Sequence, residues 1–161
     1  MSGKSDRASG ARAKSRRRVE PADLPTVRRM LPLIQRIVLD IVQDSKDLNR
    51  FTFEQEGLDR NKRELTWPER ERRYAVQGEV IRLQSRLEDE HRELASLGAV
   101  YLGSNDGRIG FPTLVNGRPA YFSWQLGEDG VNFWHFDGES TRRPIPASLN
   151  ENNQVKLVNY R

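Results

Sequence analysis

The chain has no cysteine, only two histidines, and an aromatic share of 8%. Without cysteine there are no disulfides, no thiol catalysis and no thiolate metal sites. No run approaches the ~18 apolar residues of a membrane span. No hydrophobic segment follows the basic N-terminus as in a secretory signal, so a cytoplasmic protein without membrane association is expected. No serine sits in a Gly-x-Ser-x-Gly elbow. Gly103 to Gly107 lacks the lysine and the strand-to-helix setting of a phosphate loop. What is present is charge: 31% charged against 35% hydrophobic residues suits long solvated helices around a modest core.

The charge is unevenly placed. Of 27 basic and 23 acidic residues, seven basic and one acidic lie within residues 1–18, and the rest of the chain is close to neutral. Residues 1–20 have one branched apolar side chain, Val19, and no periodicity, so a disordered basic tail is expected. Residues 4–18 could touch nucleic acid weakly and in a salt-dependent way; the bland reading is a solubilising extension. No aromatic is interleaved there to stack on bases.

Residues 21–161 read as one α+β domain. A helix starts at Asp23, a capping residue, with Pro25 in the first turn. Val27, Leu31, Ile34, Val38, Ile41, Ser45 and Leu48 are spaced alternately four and three apart, the spacing of a seam that pairs with another helix. Over residues 49–65, Gly57 and the polar filling predict a helix fraying into a turn. Thr66-Trp67-Pro68-Glu69 is a capping box opening a second helix, which Gly98 stops. Val76, Val80, Leu83, Leu87, Leu94 and Leu97 form its stripe, and His91 flanks it as a polar neighbour rather than a ligand. Some 46 Å of second helix outruns any small sheet, so the hairpin over 23–97 is expected to leave apolar stripe for a homodimer.

From Gly98 the period changes from 3.6 to 2, opening a β module over 98–146 and a C-terminal cap over 147–161. Arg108–Val115, Arg118–Leu126 and Val131–Phe136 are strand candidates after a short one at 99–102, so a small antiparallel sheet of three to four strands is expected. Asn116-Gly117 is a two-residue hairpin signal, pairing Phe111 with Phe122 and Ile109 with Trp124. A two- or four-residue turn at 127–130 would put Phe133 and His135 on that same core face. Trp134 and Phe136 would then lie on the reverse, to be covered by Ile145, Leu149, Val155, Leu157, Val158 and Tyr160.

Phe111-Pro112, Trp124-x-x-Gly127-Glu128, Trp134-His135 and Arg143, in that order after a helical hairpin ending in Leu-Gly, resemble the bacterial domain-of-unknown-function 2203 family. The resemblance covers roughly residues 24–146 and implies no established activity. Members often carry Asp before the Phe-Pro and Cys before the first Trp; here these positions hold Gly110 and Ser123.

The candidate polar site is Glu128, His135, Asp137, Glu139, Arg142 and Arg143. His135, Asp137 and Glu139 alternate and could hold a divalent metal if the strand ran on, whereas Gly138 argues that it ends; no cofactor is otherwise expected. Arg142 and Arg143 could fork a carboxylate or phosphate, or pair internally with the local acids. Three function classes follow. One is a non-catalytic homodimeric binding or scaffolding protein, with helices for assembly and the aromatic β module for a protein partner. The second is a small-molecule or metal-dependent enzyme at Glu128, His135 and Arg143. The third is weak nucleic-acid binding through the arm.

Overall fold

The computed structural model describes residues 21–103 and 106–147, so the basic arm and the C-terminal positions 148–161 lie outside the described residues. Helix α1 spans Leu24–Arg60 and α2 spans Trp67–Ser96. They are followed by β1 (Val100–Tyr101), β2 (Arg108–Val115), β3 (Arg118–Gln125), β4 (Phe133–Phe136) and β5 (Arg143–Pro144). The fold is α+β: a long helical hairpin and one antiparallel sheet in the order β1-β2-β3-β4-β5, with one short strand more than expected.

The Asp23 carboxylate caps α1, accepting the Thr26 N–H at 3.1 Å and the Thr26 hydroxyl at 2.7 Å. The expected seam is buried from Val27 to Ile41, joined by Leu24, Ile37 and Val42, and the helix runs on through Pro32. It also runs further than its sequence suggests. Instead of fraying after Leu48, α1 continues through Gly57 to Arg60, because α2 holds it. Arg72 grips Glu54 with two hydrogen bonds of 2.5 and 2.8 Å, and Arg73 Nε reaches Asp59 at 2.5 Å. Those contacts offset the ~1 kcal/mol helix penalty of an internal glycine.

The Glu69 carboxylate accepts both the Thr66 N–H and hydroxyl at 2.7 Å, which sets the start of α2. Val76, Val80, Leu83 and Leu94 are buried on its inner face. The seam also encloses a charged layer: Asp44 is buried, with Arg86 at 2.9 Å from one of its carboxylate oxygens and 3.9 Å from Glu90.

In the sheet, Asn116 (φ 51°) and Gly117 (φ 74°) both take the left-handed conformation of a tight hairpin turn. The resulting register is the expected one, Val115 with Arg118, Phe111 with Phe122 and Ile109 with Trp124. The β3–β4 register differs by one residue. Tyr121 lies opposite His135 and Phe122 opposite Trp134, so Trp134 and Phe136 belong to the core face and Phe133 and His135 to the reverse. The cause is the connection: β3–β4 pairing ends at Ser123 and resumes at Phe133, with residues 124–132 between them. This odd-numbered link inverts the side of every residue in β4.

The core is formed by α1 from Leu24 to Val42 against Ile109, Phe111, Val115, Ala120, Phe122, Trp124, Val131 and Trp134, with Leu94 and Ala99 joining from the other side. Ile145, expected to cover the reverse face, packs against this core instead, while the other anticipated C-terminal cover residues lie outside the described residues. Gly107, just before β2, lies close against α1. Its φ is 66°, and a Cβ there would sit 2.9 Å from Val38 and 3.1 Å from Val42.

Candidate functional site

β3 outruns β4, and the polar corner closes that gap. Beyond Ser123 no β4 residue pairs with β3. Arg142 takes over, donating to the Ser123 carbonyl at 3.2 Å and to both Glu128 carboxylate oxygens at 2.6 and 2.8 Å, with its guanidinium 4.4 Å over the Phe133 ring. The Glu128 carboxylate also accepts the Gln125 N–H at 2.9 Å, and its backbone carbonyl accepts the Trp124 indole N–H at 3.1 Å. Burial pushes the Glu128 carboxyl up, but the Arg142 and Gln125 hydrogen bonds outweigh it, and the net shift is below the usual carboxylate range.

Arg143 points the other way, as consecutive strand residues do. It pairs with Glu139 at 2.6 Å and lies 5.2 Å from the Trp134 ring centre on the core-face side. His135 is buried on the reverse face, tilted against Tyr121 at 5.6 Å between ring centres. Its Nδ1 lies 2.9 Å from the Phe136 carbonyl. A carbonyl only accepts, so Nδ1 carries the proton. Asp137 is exposed just past the end of β4, its N–H donating to the Pro119 carbonyl at 3.0 Å.

The six residues are thus divided. Glu128 and Arg142 form one closed pair, and Glu139 and Arg143 another. His135 sits level with Tyr121, four positions along β3 from the Gln125–Glu128 contact, roughly 13 Å at strand rise. Glu128, His135 and Arg143 do not converge. Among the described residues no three His, Asp or Glu side chains are grouped as metal ligands.

Two surface features were missed in the sequence. A cleft of about 520 Å³ opens on the core-face side at the Asn116-Gly117 end of the sheet, lined by Val115, Asn116, Arg118, Trp134, Phe136, Arg143 and Pro144. Placing Trp134 on the reverse face concealed it. The second is a stripe on the outer side of α2. Trp67, Tyr74 and Ile81 are 71%, 69% and 60% exposed and lie seven residues apart. The heptad spacing was the available signal, masked because the stronger stripe at Val76, Val80 and Leu83 accounts for the helix.

These features define an α+β protein in which a helical hairpin carries an antiparallel meander. The chain belongs to an uncharacterised conserved protein family, DUF2203, which it matches over residues 23–145. No curated protein and no solved structure matches it. Among the described residues, no helix is long and apolar enough to cross a membrane.

Proposed function

We propose that this is a non-catalytic, homodimeric binding or scaffolding protein in which α2 assembles two copies and the β module faces a partner. The observation that carries this reading is the outer stripe of Trp67, Tyr74 and Ile81. Apolar side chains spaced by seven along a helix suit a second helix laid nearly parallel to the first. At their exposures these three side chains offer on the order of 400 Å² per copy, about 800 Å² for two. That approaches the ~1,000 Å² of a specific interface before any flanking residue is counted. Gly78 lies in the same outer row with nothing within 4 Å of its Cβ position, so another backbone can come close. An antiparallel, coiled-coil-like pairing about Tyr74 brings Trp67 of one copy to Ile81 of the other and suits a twofold axis.

The binding role, as against catalysis, is supported by the closed ion pairs of Glu128 and Arg142 and of Glu139 and Arg143, which occupy the charged groups a reaction would use. Light scattering of the full chain at micromolar concentration is expected to give the mass of a dimer. A Tyr74→Glu, Ile81→Glu double variant is expected to give a monomer with an unchanged helical spectrum, since both side chains are exposed. A monomeric mass for the unsubstituted chain would overturn the assembly.

A further inference from the structure

We infer that the cleft at the hairpin-turn end of the sheet is a binding site for a small apolar carboxylate. The inference rests on the reading of the β module as the binding end of the protein and is independent of assembly through α2. The cleft has a layered chemistry. Trp134 and Phe136 meet edge to face at 5.1 Å, and Val115 and Pro144 complete an apolar lining. Two guanidinium groups lie over these rings: Arg118 at 4.1 Å from the Phe136 centroid, and Arg143 at 5.4 Å from the same ring.

The charge count selects the ligand. Arg143 is neutralised by Glu139 at 2.6 Å. Arg118 has no carboxylate partner among the described residues and is held by the ring alone. A guanidinium stacked through its face keeps its in-plane N–H donors, and that fork matches a carboxylate. One uncompensated positive charge beside an aromatic lining calls for one negative charge on an apolar body. A phosphate dianion would bring an unmatched charge and no surface for the rings. Neither helix contributes a lining residue, and the volume is within the ~300–1,000 Å³ of small-molecule sites.

The test is calorimetric titration of the full chain with 2-naphthoate, alongside the neutral 2-naphthylmethanol and inorganic phosphate. Saturable one-to-one binding of the naphthoate is expected, with the alcohol and phosphate each at least about tenfold weaker. Arg118 is exposed, so Arg118→Gln is expected to weaken naphthoate binding by about fivefold or more while leaving the thermal midpoint unchanged. Lack of saturation by millimolar naphthoate would overturn the site, and so would equal binding of the alcohol or an unaffected Arg118→Gln variant. None of these outcomes bears on the dimer mass, so failure of the ligand and failure of the assembly are read separately.

Discussion

Ser123 is fully buried on the reverse face of the sheet, and its hydroxyl has no hydrogen-bond partner among the described residues. A buried hydroxyl without a partner costs about 1–3 kcal/mol. Ser123→Ala, which removes the polar atom and leaves a space of one small atom, is therefore expected to be neutral or to stabilise by about 1 kcal/mol. Urea unfolding would show it as a higher midpoint at unchanged slope. Loss of more than about 1 kcal/mol would mean that the hydroxyl has a partner after all. His135 is the contrasting residue. Among the described residues its ring meets Tyr121 of the neighbouring strand and the Phe136 carbonyl. Its identity drew attention in the sequence, but its surroundings explain it as a packed and bonded side chain.

At the scale of elements, the far end of the hairpin depends on contacts between the helices more than on intrinsic helix propensity. Arg72 and Arg73 hold Glu54 and Asp59 across the gap, and these side chains are 28–53% exposed. Exposed pairs contribute little to global stability, about 0–1 kcal/mol each. Replacing both arginines with glutamine should therefore leave the unfolding midpoint nearly unchanged. It should still release the last turns of α1, read as faster amide exchange at residues 54–60 with no change in the buried stretch from Val27 to Ile41. Unchanged exchange at 54–60 would refute this account of the helix extension. The same distinction explains what could be read in advance. The β2–β3 register was legible because Asn116-Gly117 admits one turn length and one parity. The β3–β4 register was not, because the link after Gln125 is closed by Arg142 and Glu128, a side-chain contact between positions fourteen residues apart. The end of α1 was hidden likewise, since Gly57 argued locally against a helix that α2 stabilises from outside.

For the whole molecule, the balance of buried carboxyls sets how stability follows pH. Glu90, in the seam between the helices, is pushed up from its ordinary 4.5 to about 7 by burial first and by the charge of Asp44 second, with Arg86 opposing. The folded protein thus holds a proton that the unfolded chain releases between about pH 4.5 and 7. Stability accordingly falls as pH rises through that window and levels off above it. Glu128 acts in the opposite sense. Its carboxyl is depressed in the fold, so its contribution is present above the ordinary carboxylate range and is lost on acidification. From these two groups alone, stability is greatest on the acid side of neutral, where Glu90 is protonated and Glu128 is still ionised. Glu90→Gln keeps the size of the side chain and removes the titration. It should stabilise the protein by roughly 1–3 kcal/mol at pH 8, change little at pH 5, and flatten the decline between them. Urea unfolding of both proteins at the two pH values would test this. An equal effect of the substitution at pH 5 and pH 8 would locate the pH dependence elsewhere than the charged layer of Asp44, Arg86 and Glu90.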